Sequence, residues 1–147
     1  MKSILGLFFV IASVTTNAGT CDLLSGSFKT KTAECYTIHN GVKYDYGYME
    51  ILTAYNESAQ SLKVDMVSRN YSLSYIADGK EHTGRPQFEG SKYTAQCENN
   101  HAHIRAEVGL KFPLLYDYTI NANGKLVYQE SNDSDSSFVI VCEMDRF

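Results

Sequence analysis

The chain has 147 residues, with 13 basic and 17 acidic side chains, so its formal net charge is −4. This acidic balance, with no block of like charge, argues against nucleic acid or an anionic membrane surface as the main partner. The length suits one domain with one hydrophobic core.

The chain begins with a pattern typical of a secretory signal. Lys2 gives a short basic start, residues 3–14 form an apolar run, and small residues precede a predicted cleavage site after Ala18. The apolar run is shorter than the about 20 residues that a membrane-spanning helix needs. We therefore expect residues 1–18 to be a signal peptide, with no membrane insertion after cleavage. The remaining 147 − 18 = 129 residues (19–147) form a single predicted domain, secreted or periplasmic.

Short stretches of alternating apolar and polar residues, separated by turn residues, predict antiparallel β-strands along the rest of the chain. No stretch keeps a helical period. The first half contains five predicted strands, at residues 24–30, 34–38, 44–55, 62–66 and 71–76. Residues 80–91 contain Gly84, Pro86 and Gly90 and are predicted to form a loop.

A hairpin is predicted around Asn99 and Asn100, because asparagine tolerates the positive φ of a tight two-residue turn. Pairing about this turn places inward-facing residues opposite each other: Cys97 and Ala102, Ala95 and Ile104, Tyr93 and Ala106.

Residues 114–128 predict a second hairpin. A two-residue turn would put the apolar side chains of its two strands on opposite faces. A three-residue loop, 122–124, instead pairs Ile120 with Leu126 and Tyr118 with Tyr128, and Gly124 supplies the left-handed third position of such a loop. Residues 131–137 are predicted to be a solvated loop. The last predicted strand turns four residues inward: Phe138, Ile140, Cys142 and Met144.

These elements predict an all-β fold, a single antiparallel up-and-down (meander) barrel of about eight to ten short strands, because closure removes unpaired strand edges. All four cysteines, Cys21, Cys35, Cys97 and Cys142, lie after the signal, and an even number in an exported chain predicts two disulfides. Since Cys97 and Cys142 both face inward, we favour Cys97–Cys142 together with Cys21–Cys35. The main alternative is Cys21–Cys142 with Cys35–Cys97, because a closed meander brings the first and last strands together.

The segment Gly26-Ser27-Phe28 resembles the opening of lipocalin-like (calycin) barrels, whose first strand carries Gly-x-Trp. Here phenylalanine stands in place of the tryptophan. Arg146 is placed to take the part of the late arginine that packs over that ring in the family. The resemblance implies a barrel whose mouth or cavity takes a small apolar ligand. Small exported barrels that inhibit lysozyme or proteases have similar size and disulfides, but the chain shows no inhibitor motif.

Four tyrosines are the candidate ligand-binding residues: Tyr93, Tyr116, Tyr118 and Tyr128. The inward alanines at positions 95, 102 and 106 leave room beside them, so the tyrosine hydroxyls can orient a ligand in a cavity. The alternative is that the rings fill the barrel and their hydroxyls reach water at its ends.

No metal or other cofactor is expected. His101 and His103 lie on one strand face, at a spacing that can share a metal ion, and His82 is a possible third ligand. However, both strand histidines face outward beside Arg105, and cations repel one another. The cysteines show no CxxC spacing, which argues against a zinc or thioredoxin-like site.

No combination of nucleophile, base and orienting group is recognisable, so we expect no catalysis. The predicted function is an exported barrel that binds a small apolar or aromatic ligand in its interior. The alternative is an exported barrel whose outer face or loops bind another protein, as an inhibitor does.

Overall fold

The computed structural model describes residues 20–31, 34–85, 88–107, 109, 112–133 and 135–147. The predicted signal peptide lies outside these residues. In the described part of the chain, no helix has the length and the apolar character needed to cross a bilayer.

The described residues form twelve β-strands and two short 3-10 turns, Asp22–Leu24 and Val67–Arg69. The strands are β1 (Gly26–Lys29), β2 (Cys35–His39), β3 (Val42–Asp45), β4 (Glu50–Asn56), β5 (Ser61–Met66), β6 (Tyr71–Ile76), β7 (Asp78–Arg85), β8 (Phe88–Glu98), β9 (His101–Glu107), β10 (Leu114–Ile120), β11 (Leu126–Asn132) and β12 (Asp135–Arg146).

The strands form one antiparallel sheet in the order β6-β5-β4-β1-β12-β11-β10-β9-β8-β7. Strand β1 pairs with the end of β12 and β2 with its middle, so β1 and β2 together occupy the place of one strand beside β12. Strands β3 and β4 pair with β2 and β1 in the same way. The result is a nearly closed up-and-down barrel of ten strands, which confirms the predicted fold class.

Side chains close the barrel where the ladder is missing. Within the described residues, no backbone pairing joins β6 to β7. At this seam the Ile76 amide donates to the Tyr93 hydroxyl at 3.0 Å, and the ring of Tyr75 meets Tyr93 edge-on with 5.4 Å between centroids. The seam therefore depends on two aromatic residues rather than on a row of backbone hydrogen bonds.

The core lies inside the barrel because apolar residues alternate with polar ones along the strands. In β9, for example, Ala102, Ile104 and Ala106 are buried while their neighbours are exposed. The largest fully buried side chains are Tyr75, Tyr118, Tyr128, Phe28, Leu24, Met49, Ile51, Leu62, Met66, Leu73, Ile104 and Leu126.

Both predicted hairpins have the predicted register. Cys97 pairs with Ala102 and Tyr93 with Ala106 about a two-residue turn, in which Asn99 and Asn100 have φ of 50° and 58°. In the second hairpin, Tyr118 pairs with Tyr128, and Gly124 has φ of 74°. A side chain with a Cβ would be strained at that position, so the glycine determines the loop.

The disulfide prediction was wrong, and so was its main alternative, because the bonds are Cys21–Cys97 and Cys35–Cys142. Cys97 lies on β8, four strands from β12 along the sheet, so it cannot reach Cys142 through the barrel wall. Cys35 lies directly opposite Cys142 on paired strands, with 4.0 Å between their Cα atoms.

Cys21 does not clip the first hairpin, because the chain before β1 crosses an end of the barrel. The Asn100 amide donates to the carbonyl of Thr20 at 2.9 Å, and the Leu23 amide donates to the Asn100 side chain at 3.0 Å. These contacts bring Cys21 beside Cys97, near the β8–β9 turn. The Cys21–Cys97 disulfide thus anchors the N-terminal segment to the barrel end.

The prediction of a loop at residues 80–91 was wrong, since β7 and β8 occupy most of this range. The pairing of β7 with β8 shifts register twice, near Gly79 and Gly84, which have φ of 77° and 92°. Glycines in β-bulges interrupt the alternation of side chains, and this hides the strand in the sequence.

Three smaller predictions also need correction. The predicted strand 44–55 is divided between β3 and β4 by residues 46–49. Most of the predicted loop 131–137 is strand instead, because β11 runs to Asn132, β12 begins at Asp135, and these two residues pair. Phe138 does not complete the inward row, since it is 40% exposed, although Ile140, Cys142 and Met144 are buried.

Arg146 packs over Phe28, as the resemblance to calycin barrels implies. Its guanidinium carbon lies 4.8 Å from the ring centroid, a cation–π contact. The same guanidinium donates to the carbonyl of Ser25 at 2.7 Å and to that of Leu23 at 2.5 Å. A Cβ at Gly26 would lie 2.6 Å from Nη1 of Arg146, so the glycine makes room for the arginine.

Candidate ligand-binding site

All four predicted tyrosines are buried on the inner face of the barrel. Tyr118 on β10 and Tyr128 on β11 are direct partners, and their ring centroids lie 5.2 Å apart. Tyr116 shares the inner face of β10 with Tyr118. Tyr93 belongs to the seam, where its ring stacks on His82 at 5.4 Å. The structure thus joins Tyr118 to Tyr128 and assigns Tyr93 a role in closing the barrel.

The hydroxyl of Tyr118 is the polar group of the barrel interior that bears most directly on ligand binding. It is buried and has no hydrogen-bond partner among the described residues. The residue opposite it on β9 is Ala102, which has no polar side-chain atom. Burial, together with the neighbouring hydroxyl of Tyr75, raises the pKa of Tyr118 well above its usual value. The Tyr118 side chain is therefore a neutral phenol inside the barrel, whose hydroxyl neither donates nor accepts a hydrogen bond within the described residues.

The hydroxyl of Tyr128 differs, because it donates to Oε2 of Glu130 at 2.6 Å. Burial first, and the nearby Tyr118 and Glu130 next, raise the pKa of Tyr128 well above its usual value. Two tyrosines that touch each other thus form a matched pair: one hydroxyl is bonded to a carboxylate and the other is unpaired.

Glu130 is a half-buried carboxylate that the sequence analysis missed. It follows Tyr128 by two residues on β11, and its side chain is 15% exposed. The alternation that turns Leu126 and Tyr128 inward also turns Glu130 inward, so extending that row by one step would have found it.

Arg69 provides the opposite charge from the 3-10 turn between β5 and β6. Its Nη1 donates to Oε2 of Glu130 at 3.0 Å, although β5 and β11 lie four strands apart in the sheet. Its guanidinium lies 5.3 Å from the ring centroid of Tyr46 and also donates to the Tyr46 hydroxyl. We call Arg69, Glu130, Tyr46 and Tyr128 the Arg69 cluster. It links opposite walls of the barrel.

Charge within the Arg69 cluster is balanced. Burial disfavours the charged guanidinium, but Tyr128 and Glu130 outweigh it and raise the pKa of Arg69 further above its already high usual value. Arginine stays charged at any physiological pH in either case. No feature of the sequence around Arg69 indicates an inward direction, because the residue lies in a turn, where alternation gives no guidance.

A groove opens to solvent beside the Arg69 cluster. It has a volume of about 360 Å³ and is lined by Asp65, Met66, Val67, Asn70, Tyr71 and Ser72. Tyr71, one of the lining residues, also hydrogen-bonds the Arg69 side chain. The volume lies within the range of ligand pockets, about 300–1,000 Å³.

The strand order and the buried, aromatic interior define this protein as a nearly closed antiparallel up-and-down β-barrel. No protein-family model matches the chain, and no curated protein matches it. Among solved structures, the chain is similar to a crystal structure of a variant of the fluorescent protein UnaG. The TM-score is 0.53 at 12% sequence identity, over 83% of this chain and 94% of that chain. At this identity the similarity concerns the fold.

Proposed function

We propose that the barrel binds a small, largely apolar or aromatic ligand that carries at least one hydrogen-bonding group, and that it performs no catalysis. The unpaired hydroxyl of Tyr118 is the observation that carries the proposal. A buried polar group without a partner costs about 1–3 kcal/mol. A ligand oxygen or nitrogen at this position would remove that cost, so the ligand-free barrel favours an occupant with a polar atom near Tyr118.

The surroundings of Tyr118 support the same class of ligand. Ala95 on β8 and Ala102 and Ala106 on β9 are buried and contribute little volume. The Arg69 cluster adds a polar boundary, whose guanidinium and carboxylate are already paired. The likeness to UnaG supports the barrel architecture on which this proposal depends.

A neutral, environment-sensitive dye such as N-phenyl-1-naphthylamine tests the proposal directly. We expect its fluorescence to rise on addition of the protein. Tyr118→Phe removes only the hydroxyl and should weaken dye affinity about 5- to 10-fold, since one hydrogen bond contributes about 1 kcal/mol. The proposal fails if the wild-type protein gives no fluorescence increase, or if Tyr118→Phe binds the dye as well as the wild type does.

Tyr48→Phe is the matched control. The hydroxyl of Tyr48 donates to Glu50 at 2.6 Å, the same Tyr-x-Glu hydrogen bond that Tyr128 makes to Glu130, but Tyr48 is 53% exposed. Its removal should leave dye uptake unchanged. Equal losses in Tyr48→Phe and Tyr118→Phe would point to a nonspecific effect.

We also propose that the protein acts outside the cytoplasm. The predicted signal and the two disulfides support export, because disulfides persist in oxidising compartments. Expression in a host with a secretory pathway, followed by mass spectrometry of the exported product, tests this. The expected N-terminus is Gly19, and a product that retains Met1 in the cytosol would contradict export.

A second function, binding of a partner protein, is favoured by one observation. Strand β3 is exposed at every residue and, within the described part, pairs only with β2. Val42 and Tyr44 on this edge are 51% and 52% exposed. An exposed edge can accept an added strand from a partner. Pull-down from the natural secretion, with the wild type and with Val42→Lys, tests this function. It replaces the first if a partner protein is recovered by the wild type but not by Val42→Lys, and if the wild type does not bind the dye.

A further inference from the structure

An imidazole-rich cluster lies on the outer face of the barrel, away from the interior site. Nε2 of His101 lies 2.7 Å from Oδ1 of Asp117, and Nδ1 of His103 lies 2.8 Å from the same oxygen. The two histidine side chains are about half exposed, and that of Asp117 is 25% exposed. One carboxylate oxygen thus bridges two imidazoles at the surface.

The ladder between β9 and β10 fixes this arrangement. Asp117 is the direct partner of His103, and His101 follows on the same face two residues away. The Asn99-Asn100 turn holds the other edge of β9 in register with β8. Because the backbone is held on both sides, three side chains are brought together without ordering a loop.

Repulsion from Arg105, which argued against a metal here, is offset in the structure. Nε of Arg105 lies 3.0 Å from Asp133, and its Nη1 lies 3.3 Å from Glu107. The guanidinium charge is therefore balanced by two carboxylates. Glu98, the direct partner of His101 on β8, adds a further acidic group beside the cluster.

We propose that His101, His103 and Asp117 form a binding site for a divalent transition metal such as Zn²⁺ or Cu²⁺, with water completing the coordination. Imidazole and carboxylate are the ligands that these ions take in proteins. The three ligand atoms lie within 4.8 Å of one another. Around zinc, with bonds of about 2.0–2.2 Å, ligand atoms are separated by about 3.3 Å. Rotation of exposed side chains covers the difference.

His82, the possible third histidine ligand, does not belong to this set. His82 hydrogen-bonds Asp78 at 2.8 Å through its Nε2 and stacks on Tyr93 at the seam. Asp117 takes its place as the third ligand.

Isothermal titration of the full chain with Zn²⁺ tests the site. We expect one ion per chain. His103→Gln and Asp117→Asn should each weaken zinc affinity about tenfold or more, because each removes one of only three protein ligands. His82→Gln is the matched control, since it also removes a histidine that is paired with an aspartate, and it should leave zinc affinity unchanged.

Electron paramagnetic resonance of added Cu²⁺ gives a second readout that does not depend on affinity. The spectrum should show coupling to two nitrogens in the wild type and to one in His103→Gln. Dye uptake by the interior should be the same in His103→Gln and Asp117→Asn as in the wild type, which separates this site from the proposed ligand site. The proposal is overturned if the double variant His101→Gln/His103→Gln takes up zinc as the wild type does, or if His82→Gln shows the same loss.

Discussion

Tyr118→Phe should make the ligand-free protein more stable. Most substitutions at a fully buried residue destabilise, but this one removes an oxygen that has no hydrogen-bond partner in the described structure. In the unfolded chain that oxygen is hydrated, so folding now loses its hydrogen bonds to water and regains none. The ring, its contact with Tyr128 and almost all of its volume remain.

The expected gain in the free energy of unfolding is about 1–3 kcal/mol, the usual cost of an unsatisfied buried polar group. For a domain of this size, that corresponds to a rise in Tm of roughly 3–4 °C per kcal/mol. Urea denaturation followed by far-UV circular dichroism measures the gain. The protein should first be unfolded in urea and refolded by removing the urea, so that any carried-over ligand is lost.

Tyr128→Phe is the control in the opposite direction. The two tyrosines are partners on adjacent strands, and both are fully buried. The hydroxyl of Tyr128, however, donates to Glu130. Its loss should therefore destabilise the fold by about 1–3 kcal/mol, because a hydrogen bond to a charged acceptor is stronger than a neutral one.

The reasoning is refuted if Tyr118→Phe destabilises the ligand-free protein by 1 kcal/mol or more, on the scale of a typical buried hydrogen bond. That result would mean that the hydroxyl has a partner in solution. If both variants are destabilised equally, the two hydroxyls are equivalent, and the argument for a ligand at Tyr118 loses its basis.

Three further predictions follow from the barrel's interior and its crosslinks. First, stability should fall as the pH rises above about 10, because the raised pKa of Tyr118 keeps this phenol neutral in the folded state while its unfolded form ionises, at up to about 1.4 kcal/mol per pH unit. Urea midpoints at pH 9 and pH 11 should show the decrease in the wild type and a smaller one in Tyr118→Phe; equal slopes would contradict the assignment. Second, Arg69→Met should destabilise the protein by about 2 kcal/mol, because it leaves the half-buried carboxylate of Glu130 without its cation, and Arg69→Met/Glu130→Leu should recover part of that loss in a double-mutant cycle. Additive effects would show that the pair is not coupled. Third, replacing Cys35 and Cys142 together by alanine should cost about 4–5 kcal/mol in the loop-entropy model, since the crosslink spans 107 residues. Thermal unfolding measures this, and an unchanged Tm would show that the bond contributes nothing.

Local chemistry was sufficient to predict the two hairpins of the second half. Asn99 and Asn100 suit a turn with positive φ, and Gly124 suits the last position of a three-residue loop. Once a turn is placed, alternation decides which residues face inward. For this reason the predicted partners of Cys97 and Tyr118 are correct, and all four tyrosines proposed as ligand-binding residues lie inside the barrel.

Relations between distant strands could be decided only by the tertiary structure. Alternation says which face a cysteine occupies, but not which strand lies beside it, so the inward Cys97 and Cys142 were paired wrongly. The contact of Arg69 with Glu130 crosses the barrel between strands that are not sheet neighbours. Asp117 contacts two histidines on the neighbouring strand β9. The register between β9 and β10 could not be predicted, because no hairpin signal was found between these strands.

The physical reason is the range of the interactions. Turn geometry and side-chain alternation act within a few residues, so the local sequence is sufficient to determine each hairpin. Closure of the barrel, the disulfides and the polar clusters instead depend on which strands meet after the sheet has curled. That arrangement is set by the packing of the whole core.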